Sequence, residues 1–218
     1  MKIFYFYDDT EDTLKLKDQF ETNLPSDLVS CPNLIENNFC QKSHGGGYYG
    51  WLCKYQTLLE GFKQTKTNEY FIFSDIDIRF YSTPTDKISL DKDWYFQQET
   101  YSGKDINIGF MIIKNCDNSK NFWNEANQII EQNKYLSTNN CYKIQHQRGN
   151  GSGQFIINDL LYKYTDLSWD KLSLRFWSGS IGLEFLSKDI ILHHANAVHG
   201  MRKKINQLDY ISQVLTRL

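Results

Sequence analysis

Short runs of aromatic and β-branched residues alternate along this chain with stretches whose apolar positions recur every three or four residues. Residues 2–7 (KIFYFY) read as an opening strand and residues 29–31 as a short second one. Residues 70–74 (YFIFS), 94–97, 106–114 and 189–192 read as further strands. The clearest helical pattern runs through Tyr48, Trp51, Leu52, Tyr55, Leu58, Leu59 and Phe62, which share one face at helical spacing. Phe122, Trp123, Ala126, Ile129 and Ile130 mark another helix. Phe155, Ile156, Leu160 and Leu161 mark the next, and Ile205, Leu208, Ile211, Val214 and Leu215 the last. Strands alternating with helices predict an α/β domain with a mainly parallel central sheet flanked by helices. With 218 residues and no interior linker, one domain spanning 1–218 is expected.

Composition removes several classes of function. A formal charge of -2 supplies no basic field for nucleic acid. No apolar run approaches the roughly 20 residues of a membrane helix, and the patch after Met1 is too short for a signal peptide. The five cysteines form no Cys-x-x-Cys pair and are odd in number, which reads as reduced thiols in a cytoplasmic protein. Without a secretion signal, the sequon at Asn150-Gly151-Ser152 is a chance match. Any membrane-anchored stem would lie outside these residues.

The strand at 70–74 runs into Asp75-Ile76-Asp77, two carboxylates at a spacing that puts both on one face of an extended chain. At the carboxyl end of a strand in an open α/β sheet, such oxygens suit Mg²⁺ or Mn²⁺ with positions left for phosphate. A third ligand is expected from the segment His193-His194-Ala195-Asn196-Ala197-Val198-His199. His194 is the first choice, His199 the second and His193 the third. The basic triplet Arg202-Lys203-Lys204 would neutralise a diphosphate leaving group. Lys54, on the helix before the strand, would reach a diphosphate or pair with an acidic ligand. Gly109 inside its strand suggests a bulge or a close backbone approach, with Asn107 placed to meet a substrate hydroxyl. Gly45-Gly46-Gly47 matches no phosphate-loop pattern and reads as a connection. The long polar loop 137–153 is expected to act as a lid.

In this order the motifs resemble those of the GT-A fold, nucleotide-sugar-dependent glycosyltransferases of the Asp-x-Asp type. The resemblance runs from the opening strand through FSDIDIRFYSTP, INIGFMIIK and GSGQFIIN to HHANAVHGMRKK, about residues 1–205. It extends to transferases encoded by large algal viruses. It implies a metal-dependent transfer of sugar from a nucleoside-diphosphate donor, UDP-sugar foremost, to a glycan hydroxyl, with Mn²⁺ or Mg²⁺ as cofactor. Asp77 would ligate the metal, Asp75 the metal or the ribose, and His194 would complete the set. Tyr5, Tyr7 and Asp8 would line the nucleotide, Lys203 would hold the diphosphate, and Asn107 and Gln154 would face the donor sugar. Relatives often read Asp-Gln where this chain has Gly153-Gln154, so no nucleophilic carboxylate is expected there. A retaining enzyme would then use the leaving phosphate as base. An inverting one needs a carboxylate near the acceptor, from Glu99, Asp105 or Asp209. Two rival functions are a sugar-phosphate nucleotidyltransferase, whose Gly-rich N-terminal loop is missing here, and a non-catalytic nucleotide-sugar or glycan binder.

Overall fold

Among the described residues the aromatic and β-branched runs form nine strands: β1 (Lys2–Tyr7), β2 (Val29–Leu34), β3 (Tyr70–Ser74), β4 (Ile78–Phe80), β5 (Trp94–Gln98), β6 (Ile106–Lys114), β7 (Trp169–Lys171), β8 (Phe176–Ser178) and β9 (Leu192–His194). The helices are α1 (Glu11–Thr22), α2 (Tyr48–Gln64), α3 (Asp117–Asn139), α4 (Ser152–Leu161) and α5 (Met201–Leu215). The computed structural model describes residues 1–35, 48–101, 105–139, 152–196 and 198–218. The expectations for Gly45–Gly47 and for most of the 137–153 loop lie outside them. Residues 137–139 and 152–153 belong to α3 and α4 rather than to a loop. Among the described residues, no disulfide joins Cys31, Cys53 and Cys116, and no helix is long and apolar enough to cross a membrane.

Six strands make the central sheet in the order β2-β1-β3-β6-β5-β7. Pairings β1–β2, β1–β3 and β5–β7 are parallel, and only β6 runs against its two neighbours. The sheet is thus mostly parallel, as the alternation of strands and helices predicts. Period-two alternation divides its side chains between two cores. Phe71 and Phe73 pack with Trp51, Leu58 and Trp123 of the helical layer, while Ile72 faces Leu16, Phe20 and Leu208 on the other side.

Strand β6 breaks that alternation once. Ile106 and Ile108 belong to the first core, and so do Met111 and Ile113, whereas Phe110 and Ile112 belong to the second. Even-numbered residues therefore change face between 108 and 110. The ladder shows the same break: Phe96 pairs with Met111 but Gln97 pairs with Asn107. The bulge expected at Gly109 is present.

A second, three-stranded sheet, β4-β9-β8, corrects the expected placing of the last strand. That strand lies outside the central sheet, antiparallel to β4, with Ile78 opposite His194. Both histidines of the pair sit within the strand rather than after it. Here side-chain burial decides over pattern, since Leu192, His193 and His194 are all buried.

Candidate functional site

Strand β3 stops at Ser74, and the chain bends through Asp75–Asp77 before β4 begins. The two carboxylates are therefore held by a bend rather than by strand alternation. Backbone bonds fix the bend at both ends: the Asp75 N–H donates to the Gly109 carbonyl (2.6 Å), and the Ala195 N–H donates to the Asp77 carbonyl (2.9 Å). The second bond draws the end of β9 onto the Asp-x-Asp segment. His194 Nε2 comes to lie 3.4 Å from Asp77 Oδ1 and 3.9 Å from Asp75 Oδ2. One ligand atom from each residue falls within 4.8 Å of the others, the only such grouping among the described residues.

His194 is set for ligation by residues behind it. Its Nδ1 lies 2.8 Å from Gln97 Oε1, and Gln97 Nε2 donates to the Phe176 carbonyl (3.1 Å). The second bond fixes the amide with its oxygen toward the imidazole. Nδ1 therefore carries a proton, which leaves Nε2 as the ring nitrogen that faces the carboxylates. Two carboxylates and a neutral imidazole nitrogen fit Mn²⁺ or Mg²⁺ as a donor set. Replacing the orienting partner, Gln97→Leu, is expected to weaken Mn²⁺ binding by about 10- to 100-fold in calorimetric titration, without changing the ligand set. Unchanged affinity would show that Gln97 does not position His194.

Two lysines close the cluster. Lys54 donates to Asp75 Oδ1 from α2, and Lys204 donates to Asp77 Oδ2 (2.6 Å) from the first turn of α5. Burial raises the Asp77 carboxyl, but Lys204 and His194 outweigh it and hold the group well below its ordinary value. Burial likewise lowers Lys204, and the Asp77 charge more than offsets this, so the ammonium stays above its usual range. A basic first turn is unusual at the positive end of a helix dipole; Asp77 compensates it here.

Next to the cluster lies a second polar group centred on Glu99. Its carboxylate accepts hydrogen bonds from the Asn107 amide and from Asn196 Nδ2 (3.1 Å). Burial pushes this carboxyl up, and bonds from Asn107 and Gln154, with nearby His194, offset part of the rise. The Gln154 oxygen accepts from the Ile108 N–H (3.4 Å), so Gln154 spans α4 and the bulge of β6. Asn107 Oδ1 accepts from the Gly109 N–H (2.7 Å).

The remaining expected residues fall elsewhere. Lys203 is exposed, and Lys204 takes the inward position; neighbours on a helix differ by about 100°, which a basic triplet cannot reveal. Tyr5 is fully buried on the α1 side, bonded to Glu21 and to Ser30 Oγ (2.7 Å), so it does not line the cluster. Alternation instead brings Phe6 beneath Lys54, whose Nζ lies 5.9 Å from the Phe6 ring centroid and 4.8 Å from that of Phe73. Tyr7 sits under Lys17, and Asp8 accepts from Thr10 Oγ1 (2.6 Å) at the same sheet edge as Asp75. Asp209 is paired with Arg79 (2.8 Å), outside the cluster. Asp105 is exposed and meets Glu99 through its backbone carbonyl (3.0 Å). His199 is exposed and stands apart from the metal-ligating group. Sequence reading missed Gln97; the only signal for it is a Gln pair ending an otherwise aromatic strand.

His193 points away from His194, as strand alternation requires. It is buried against the Trp177 ring, 4.8 Å between centroids, with neither ring nitrogen hydrogen-bonded. Burial drives its pKa down to about 3. A histidine depressed on folding stabilises fully above its unfolded pKa near 6.5, and that contribution is lost as pH falls toward the folded value. Relative to His193→Leu, the wild type is therefore expected to lose about 2 kcal/mol between pH 7 and pH 5 in urea unfolding. Parallel profiles for the two proteins would remove this assignment.

A family model described as Nucleotide-diphospho-sugar transferase matches residues 63–208, a span that includes Asp75, Asp77, Gln97, Glu99, Asn107, Gln154, His194 and Lys204. Among solved structures, a glycosyltransferase involved in the glycosylation of the major capsid of PBCV-1 matches with a TM-score of 0.54 at 12% identity, covering 95% of this chain and 98% of that one. The apo-form glycosyltransferase GlyE of Streptococcus pneumoniae TIGR4 matches with a TM-score of 0.53 at 12% identity, covering 98% of this chain and 64% of that one. The galactosyltransferase LgtC, in complex with donor and acceptor sugar analogs, gives 0.52 at 11% identity, covering 89% and 86%. No curated protein matches the sequence. Identities this low establish a shared fold, the GT-A fold, and nothing finer.

Proposed function

Since the chain belongs to the nucleotide-diphospho-sugar transferase family, we propose that it moves a sugar from a UDP-sugar to a glycan hydroxyl with Mn²⁺ or Mg²⁺ at Asp75, Asp77 and His194. The observation that carries this reading is the convergence of those three ligand atoms with Lys54 and Lys204 at the carboxyl-terminal edge of β3. The cation, when bound, supplies charge neutralisation for the departing diphosphate. Lys54 and Lys204 add fixed positive charge on either side, so the leaving group departs into a preorganised cationic field. Lys203, exposed on the same helix turn, is at most an outer contact.

On the sugar side, Asn107 and Gln154 present carboxamides bridged by the Glu99 carboxylate. Of the three carboxylates weighed as a base, Glu99 is the one hydrogen-bonded into the site, and its raised pKa suits proton acceptance better than that of an exposed acid. An inverting reaction would use it to take the acceptor hydroxyl proton; a retaining one would leave that to the diphosphate.

The test is nucleotide release from UDP-, GDP- and CMP-sugars, each with Mn²⁺ and with EDTA. Release of UDP that stops in EDTA is the expected outcome. Metal-independent release, or none with any donor, would contradict the reading. Release of pyrophosphate from UTP and a sugar phosphate would instead indicate a nucleotidyltransferase.

A further inference from the structure

An exposed ring, Tyr101, and a half-buried one, Phe185, meet where the segment after Glu99 comes against the turn that follows Ser180. Tyr101 and Phe185 stack with centroids 3.7 Å apart and planes 13° from parallel. Tyr101 is 57% exposed, and Leu183, in the same short turn as Phe185, is 53% exposed. Stacking occupies one face of a ring, which leaves the Tyr101 ring substantially open to solvent. Rings of this size are ordinarily a protein's best core material, so a preassembled pair at a polar site is a candidate contact surface.

The pair is tied to the site rather than merely near it. Tyr101 follows Glu99 by two residues. The segment that carries Phe185 is pinned to the same carboxylate strand: Ser180 Oγ donates to the Glu99 carbonyl (2.6 Å), and the Ser180 N–H donates to Asn196 Oδ1 (3.2 Å). Asn196 in turn donates to the Glu99 carboxylate. Glu99 follows β5, on the far side of β6 from β1 and β3, and Lys54 approaches from the β1–β3 side. The cationic and aromatic parts of the site therefore belong to opposite sides of β6.

A sugar ring matches this combination. Its axial C–H face is apolar and weakly positive, which suits the electron-rich face of an aromatic ring. Its rim of hydroxyls needs acceptors, and the donors around the Glu99 carboxylate orient it. We propose that Tyr101, Phe185 and Leu183, together with Glu99, form the acceptor subsite and that its occupant is a pyranose ring of a glycan. This rests on the transferase reading and adds to it where the acceptor lies and what recognises it.

The experiment is saturation-transfer NMR on a panel of methyl hexopyranosides, with UDP and Mn²⁺ present. The metal-dependent rise in melting temperature with UDP is measured on the same samples. Wild type should transfer saturation to the ring C–H protons of at least one glycoside. Tyr101→Ala and Phe185→Ala should bind that glycoside about five-fold or more weakly, the worth of one ring contact, and Tyr101→Trp should keep it. Both alanine variants should still respond to UDP and Mn²⁺. No saturation of any glycoside by the wild type, or alanine variants that bind like it, overturns the subsite. Loss of the UDP response in the wild type would instead bring down the transferase reading on which it rests.

Discussion

Asp77→Asn should lose metal-dependent UDP binding and lower turnover by about 1,000-fold, the upper range for removing one preorganised electrostatic contact. The reasoning concerns charge rather than shape, because asparagine fills the same space. Asp77 is the more buried of the two carboxylates, and it faces both His194 and Lys204. Its loss also leaves the Lys204 ammonium without its partner, which should destabilise the fold by about 3 kcal/mol. A double variant separates the two effects. Adding Lys204→Met should return most of the stability and none of the Mn²⁺ affinity, since the neighbouring substitutions are coupled in folding but not in ligation. An Asp77→Asn protein that binds UDP with Mn²⁺ as the wild type does would show that this carboxylate is not a ligand.

Gly109→Ala is the second large effect, and it is steric. A Cβ at this position would stand 2.1 Å from His194 Cε1 and 2.9 Å from both Asn107 Oδ1 and Asp75 Oδ2. No real Cβ is tolerated at the first distance, so the imidazole must move. It is held from behind by Gln97, and the metal-ligating nitrogen moves with the ring. Mn²⁺ affinity should fall by about 100-fold, with an overpacking cost of about 1–3 kcal/mol in stability. Gly50→Ala is the matched control, because nothing lies within 4 Å of its added Cβ and alanine favours the helix. Calorimetric titration of both variants measures the difference. Wild-type affinity in Gly109→Ala would mean that the ring relaxes freely and that the bulge does not shape the site.

Much of this architecture was legible from hydrophobic spacing. The patterns for β1, α2, β3 and β6 are long and strongly periodic, and the structure places these elements at the expected residues. Gly109 could be read as a bulge because a glycine inside an apolar run has few other uses. The second sheet was not legible. Strands β4 and β8 have three residues each, too few to show a period, and they exist because β9 pairs with both. That tertiary pairing also explains why Asp77 and His194 meet by a route other than the parallel sheet edge.

For the site, residue type and strand end together pointed to Asp75, Asp77 and His194. Choices between immediate neighbours were harder. Lys203 against Lys204 depends on where the last helix begins, and Tyr5 against Phe6 on which face of β1 meets α2. A shift of one residue reverses either answer. Gln97 was hidden for another reason: its role lies in two hydrogen bonds, to His194 and to Phe176, from residues about 80 to 100 positions away.

The most direct measurement is anomalous diffraction from a crystal grown with Mn²⁺ and UDP. The account predicts one strong manganese peak at roughly 2.0–2.3 Å from a carboxylate oxygen of Asp75, one of Asp77 and Nε2 of His194, with diphosphate oxygens completing its coordination. Clear UDP density with no manganese at these three residues, or with the ion held by other groups, would contradict it.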